Sequence, residues 1–331
     1  MTNLWKGMTK GAAHSTSLFL VPKVLKGNHV DDKPAPSLKI DCRGKLLDAG
    51  AGTLIMGILN VTPDSFSDGG RFLEPRIAVE RAHQMVEEGA DIIDIGGEST
   101  RPAGPYGEGA DTVSEEEECQ RTLPVIQELA SQIDVPISID TTKAAVAGRA
   151  LEAGAALVND ISALRFDSEM AETVAEFDAP VVLMHMKDTP ETMQCNPVYD
   201  DLMGDIVEFL RNSRDRALKA GVGSDRIIVD PGLGFGKTYN HNFQIIARLR
   251  DLEELACPIL IGPSRKKFVG AHLDLPPSER LEGTLAAIAL SVIGGAQIVR
   301  VHDVREARKA IVVADQVAEQ AGRPCEPSGE A

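Results

Sequence analysis

Eight short apolar runs, each followed by a longer stretch of helical periodicity, constrain the fold of this chain more than any other feature. They fall at residues 54–59, 92–95, 136–139, 156–158, 181–184, 227–229, 258–261 and 298–301. Most are rich in Ile and Val, and runs of this length suit strands buried on both faces of a parallel sheet. The stretches between them suit helices. Residues 76–89 place Ile77, Ala78, Met85 and Val86 on roughly one face and stop at Gly89. Residues 114–131 open on Ser114 followed by Glu115, Glu116 and Glu117, a capping-box pattern with acids at the positive helix end. Residues 201–220 end at Gly221, and 280–293 end at Gly294-Gly295. The expected closure is a (β/α)8 TIM barrel in a single domain. An open doubly wound sheet is the rival that short runs leave open.

The barrel is expected to span residues 37–320, with an extension at 1–36 and a tail at 321–331. Residues 1–30 carry Lys6, Lys10, Lys23 and Lys26 and no acid. Their apolar run Leu18-Phe19-Leu20-Val21 is broken by Pro22, too short for a signal-peptide core, and the absence of Arg is unlike a transit peptide. A mobile tail is the expectation, or a start placed too early. Aromatics are only 4% of the 331 residues, so Ile, Val, Leu and Ala must fill the core. The net charge of −16 argues against a nucleic-acid or acidic-membrane partner. Cys42, Cys119, Cys195, Cys257 and Cys325 are scattered without zinc-ligand spacing, which fits a reducing cytoplasm. No stretch approaches the ~20 apolar residues of a membrane span.

In a barrel of this kind the carboxyl ends of the strands meet at one face, where side chains converge on a ligand. Nearly every run ends in a polar group: Asn60, then Asp94 and Glu98, Asp140, Asn159-Asp160, His185, Asp230 and Ser264-Arg265-Lys266. Arg300 and His302 lie two apart, so both point to the same side. One such residue is an ordinary cap or turn former. A ring of them is costly to bury unless paired, which points to a ligand rich in donors and acceptors. Asp140, Asn159 and Asp230 suit the amino and lactam edges of a nitrogen heterocycle. Lys266, Arg300 and His302 suit phosphate oxygens, and Arg also lies flat against planar rings. Asn60 offers a hard oxygen to an Mg2+ ion otherwise held by water and phosphate. A heterocycle carrying a phosphate-type leaving group satisfies both halves.

Residues 60–70, with Phe66, and 96–104 read as loops over the barrel mouth, a common place for lids. Residues 230–237 (D-P-G-L-G-F-G-K) come near a phosphate-binding loop but lack the G-x-x-x-x-G-K-[ST] spacing, which rejects a nucleotide hydrolase. His14, His83, His241 and His272 read as structural or surface. Met184 and Met186, flanking His185, read as wall and core.

Two long motifs stand out, M-G-I-L-N-V-T-P-D-S-F-S-D-G-G at 56–70 and G-G-E-S-T-R-P at 96–102. With 138–141, 158–160, 184–186, 230–232, 264–266 and 300–303, they make the chain closely resemble the dihydropteroate synthase family over roughly residues 50–320. The resemblance implies that 6-hydroxymethyl-7,8-dihydropterin diphosphate is joined to 4-aminobenzoate, giving 7,8-dihydropteroate and pyrophosphate for folate synthesis. It implies that Thr100, Asp140, Asn159, Asp230 and Lys266 hold the pterin. Arg300 would stack on the ring and reach the diphosphate, with His302 and Asn60 serving the diphosphate and its Mg2+. Phe66, Pro102 and Phe235 would line the aminobenzoate pocket, and Asp68 would close over the site. A homodimer and a place among sulfonamide targets also belong to what the resemblance implies.

No Ser, Cys or Lys is placed as a covalent nucleophile beside a base. A neutral arylamine needs no strong base, so C–O cleavage is the hard step. An SN1-like transfer is expected, the pterin carrying positive charge while Mg2+, Arg300 and His302 stabilise the departing pyrophosphate. Three positions depart from the family pattern. Lys267 stands where many relatives have a Ser that contacts the aminobenzoate carboxylate; Lys either reaches that carboxylate or points to solvent. Asp188 and Ala103 stand where Gly is common. A pterin-binding methyltransferase module would lack the two loop motifs, and a non-catalytic paralogue would be marked by loss of Asn60, Arg300 or His302.

Overall fold

A computed structural model describes residues 38–61, 74–98, 103–104, 107–108, 113–190 and 192–321. The extension, nearly all of the C-terminal tail, and Phe66, Asp68, Thr100 and Pro102 lie outside the described residues. The described chain opens on an antiparallel hairpin, β1 (Lys39–Cys42) with β2 (Lys45–Asp48). Next come β3 (Leu54–Asn60), β4 (Ile92–Gly96) and a two-residue antiparallel pair, β5 (Ala103–Gly104) with β6 (Gly107–Glu108). The remaining strands are β7 (Ile137–Asp140), β8 (Leu157–Asp160), β9 (Val181–Met184), β10 (Ile227–Asp230), β11 (Leu260–Ile261) and β12 (Ile298–Val301).

An eight-stranded sheet runs in the order β10-β9-β8-β7-β4-β3-β12-β11, with every pairing parallel. A parallel bridge between Val229 and Ile259 joins its two ends, so the sheet is a nearly closed barrel. An open doubly wound sheet has no contact between its edges, and that rival is set aside. The flanking helices are α1 (Glu74–Glu87), α2 (Glu115–Ala130), α3 (Ala144–Ala153), α4 (Met170–Glu176), α5 (Leu202–Ala220), α6 (Tyr239–Ala247), α7 (Lys267–Gly270), α8 (Leu281–Ile293) and α9 (Val304–Ala321). Ser114 Oγ accepts from the Glu117 N–H at 3.2 Å, so the expected cap of α2 is present. The helix expected at 280–293 is α8, and the four-residue α7 precedes it.

Successive residues of a strand face opposite sides, so each barrel strand sorts its residues into two sets. Ile55, Ile93, Ile137, Val181, Val229 and Val299 pack outward into the large core shared with the helices. Leu54, Met56, Ile92, Leu157, Val182, Ile228, Leu260 and Ile298 form a second core together with Ile40, Cys42 and Leu47 of the hairpin. The hairpin therefore stoppers the N-terminal end of the barrel. Two positions beyond Ile92, Leu157, Ile228 and Ile298 the inward set turns polar, as Asp94, Asn159, Asp230 and Arg300. Among the described residues no helix is long and apolar enough to cross a membrane.

Candidate active site

Strand register places Asn60, Gly96, Asp140 and Asn159 side by side across β3, β4, β7 and β8. Gly96 stands between Asn60 and Asp140, where an added Cβ would make ordinary contacts, 3.5 Å from Asp140 Cβ and 3.8 Å from Asn60 Oδ1. Arg300 enters from β12. Its Nε donates to Asp94 Oδ2 at 2.6 Å and its Nη2 to Asp140 Oδ2 at 2.5 Å. Burial opposes the Arg300 charge, but Asp94 and Asp140 outweigh it and hold the guanidinium protonated. Burial pushes the Asp140 carboxyl up to about 7; Arg300 pulls it down and Asp94 adds to the upward push.

Asp94 is fully buried, and its Oδ2 also accepts from Asn159 Nδ2 at 3.1 Å. Its Oδ1 has no protein partner. A buried acceptor of this kind calls for a donor from a ligand or ordered water. The sequence marks Asp94 as a polar strand end, not as one of the expected ligand contacts. The signal was there: a lone acid inside an Ile-rich run, with the inward parity of Gly96.

Asp230 closes β10. Its Oδ1 accepts from the Gly232 N–H at 2.6 Å; burial raises its pKa while Lys266 restrains the rise. Lys266 precedes α7, and its Nζ donates to the Leu233 carbonyl oxygen at 2.5 Å and lies 4.7 Å from the Phe235 ring centroid. Burial pulls its ammonium down to about 8, against the attraction of Asp230. Phe235 packs beside Ile161, Met184, Met186 and Met193, so the two methionines are wall and core as expected.

His302 follows Arg300 on the same side. Its Nδ1 is 2.9 Å from Ser264 Oγ, which also accepts the His302 backbone N–H at 3.2 Å. Lys267 opens α7 and is half-buried. Two other strand-end acids serve the scaffold. Asp160 accepts from the Ser162 and Leu164 N–H groups at 2.7 and 2.6 Å, and Glu98 pairs with Lys143, which also holds the buried Glu118 at 2.6 Å. His83 contacts Gln132, His241 completes the cap of α6, and His272 stacks on Phe243, all local roles.

Among the described residues no three His, Cys, Asp or Glu side chains cluster as a metal cage. The donors present fit Mg2+ as a largely hydrated ion, touched by the neutral Asn60 amide oxygen and completed by water and substrate phosphate.

The rim thus gathers buried carboxylates and an amide beside cations, an arrangement able to meet a ligand rich in donors and acceptors. The pterin binding enzyme family model matches residues 56–302. The chain is 49% identical over 271 residues to the dihydropteroate synthase of a Synechocystis species, covering 82% of this chain and 92% of that one. The chain belongs to the dihydropteroate synthase family. Within that family, a Yersinia pestis dihydropteroate synthase solved with a sulfonamide drug superposes with a TM-score of 0.79 at 44% identity, over 85% of this chain and 99% of that one. A Xanthomonas albilineans dihydropteroate synthase solved with 4-aminobenzoic acid gives a TM-score of 0.78 at 41% identity, over 88% of this chain and 100% of that one.

Proposed function

We propose that this rim performs the family's reaction by dissociative transfer, with its residues in the following roles. The chain condenses 6-hydroxymethyl-7,8-dihydropterin diphosphate with 4-aminobenzoate, giving 7,8-dihydropteroate and pyrophosphate in folate synthesis. The observation that carries the assignment of roles is the Asp94–Arg300–Asp140 cluster at the strand ends. Asp140, Asn159 and Asp230 grip the pterin edges, with Thr100 and Lys266 beside them. Asp94 orients Arg300 and Asn159. Arg300 lies on the pterin ring and, with His302, meets the diphosphate. Phe66, Pro102, Phe235 and Lys267 frame the aminobenzoate, and Asp68 closes over it.

Cleavage of the C–O bond leaves positive charge on the pterin methylene and negative charge on pyrophosphate. The carboxylates at the ring edges favour the first, and Arg300, Lys266 and His302 favour the second. Mg2+ held at Asn60 would neutralise further charge on the leaving group. The neutral amine then attacks and loses a proton to solvent.

The sheet is taken as a complete (β/α)8 barrel over residues 37–320, flanked by segments 1–36 and 321–331. Exposed Leu290 on α8 and Val312, Val313 and Val317 on α9 support a homodimer through that face, which sedimentation tests. The free thiols of Cys42, Cys119, Cys195 and Cys257 support a cytoplasmic setting.

The direct test mixes purified protein with the pterin diphosphate, 4-aminobenzoate and Mg2+, then omits each in turn. Dihydropteroate and pyrophosphate should form only in the complete mixture. Pterin binding without product would favour the non-catalytic paralogue. Scrambling of an isotope label at the bridging oxygen of the diphosphate checks the dissociative step.

A further inference from the structure

The segment 230–237 ends in a lysine that points under its own loop rather than toward a phosphate. Lys237 is 1% exposed, and no other lysine or arginine among the described residues is as deeply buried. Its Nζ lies 2.9 Å from His185 Nδ1, 3.3 Å from the His185 carbonyl oxygen and 2.9 Å from the Phe235 carbonyl oxygen. Burial pushes the Lys237 pKa well below its ordinary value, and the nitrogen, charged or neutral, keeps hydrogens to donate to the two carbonyl oxygens. Burial, then the Lys237 charge, push the His185 pKa well below its ordinary value, so the ring stays neutral with Nδ1 facing the Lys237 nitrogen. Burying this nitrogen is costly, and its contacts join two stretches of chain, His185 just beyond β9 and Phe235 in the loop after β10.

That backbone has little slack. Gly232 and Gly236 have φ of 69° and 66°. A Cβ on Gly232 would lie 2.0 Å from the His185 carbonyl oxygen, and one on Gly236 2.6 Å from Lys187 Cβ. The loop thus rests directly on the chain leaving β9, where only glycine fits. From outside, Gln194 Nε2 donates to the Gly234 carbonyl at 2.5 Å and the Tyr199 hydroxyl to the Gly236 carbonyl at 2.7 Å. From beneath, Lys237 holds the carbonyl of Phe235, the residue whose ring meets Lys266.

We propose that Lys237 is a positioning residue: its Nζ ties the Phe235 carbonyl to His185, and so sets where the Phe235 ring stands and how tightly the aminobenzoate is gripped. The role rests on the assignment of Phe235 to the aminobenzoate wall. Lys237→Met removes the donors and keeps the apolar stem. Its KM for 4-aminobenzoate should rise about tenfold, the scale of one lost hydrogen bond. KM for the pterin diphosphate and kcat should stay within about threefold. A purely structural lysine would lower the active fraction and leave both KM values alone. His185→Leu removes one acceptor and should raise the same KM by a smaller factor, which decides the matter if the Met variant does not fold. Equal changes in both KM values, no change in a folded variant, or failure of both variants to fold would each overturn the role. Absence of dihydropteroate formation by the unaltered protein would instead sink the functional assignment, before any variant is made.

Discussion

The two ends of the barrel are built from the same strands and the same inward-facing positions, yet they are opposite in chemistry. At the floor, Ile40, Cys42 and Leu47 meet a layer of aliphatic side chains. Cations there stay at the periphery: Arg43 donates to the Leu151 and Ala155 carbonyls at 2.6 and 2.7 Å, and Arg226 to the Asp41 carbonyl at 2.6 Å and to the exposed Asp178 carboxylate at 2.7 Å. Burial pushes the Cys42 thiol up to about 12, so it packs and does not react. At the rim the charges turn inward. Arg300 is shared by two carboxylates, and buried Asp94 Oδ1 and Ser138 Oγ lack partners. Apolar burial at the floor stabilises the fold whether or not a ligand is bound. Incompletely paired polar burial at the rim is offset only when a ligand or ordered water supplies the missing partners.

Arg300→Ala breaks the contrast most sharply. Turnover should fall about a hundred- to a thousandfold, the scale of removing one transition-state donor. Steady-state kinetics with both substrates check this, and near-normal values would refute the role. Ile40→Ala is the counterpart at the floor, since Ile40 is fully buried. It should cost about 2–4 kcal/mol in urea unfolding while turnover per folded molecule is unchanged. A loss of turnover there would show that the floor is not merely a stopper.

The pH dependence of stability sharpens the comparison further. Asp140 is pushed up to about 7 in the folded state by burial. The unfolded chain releases that proton near pH 4. Between those values the native state binds more protons, so stability falls as pH rises from about 4 toward about 7 and then levels. Asp140→Asn should flatten that stretch in thermal melts, and a slope identical to the unaltered protein would assign it elsewhere. The smallest effect is expected at Asp188, which has φ of 61° just beyond the end of β9. Asp188→Gly should stabilise by about 1 kcal/mol by removing the left-handed strain of a side chain, read as a higher melting temperature.

The rim was largely legible in the chain because strand parity is local. Arg300 and His302 are two apart, and Asp140, Asn159 and Asp230 each end an apolar run, so their common face follows from backbone geometry. The hairpin at 39–48 was not legible. Each of its strands has four residues of mixed polarity, too few to display a period. Lys237 was equally hidden, because its acceptors are carbonyls and a histidine 52 positions away, and no local pattern encodes a backbone partner. Asp188 shows the intermediate case: the place where relatives favour Gly could be noted, but the reason is a dihedral angle.

Chain order alone dictated the alternation of short buried strands with helices, and the switch from aliphatic to polar side chains along each inward face. Both follow from periodicities of two and 3.6 residues that any short stretch carries within itself. Closure of the sheet chose the partners: Arg300 meets Asp94 and Asp140 from 206 and 160 positions away. Which side chains face each other across a barrel depends on how all its strands are staggered together, and that offset is a property of the closed sheet that no single segment contains.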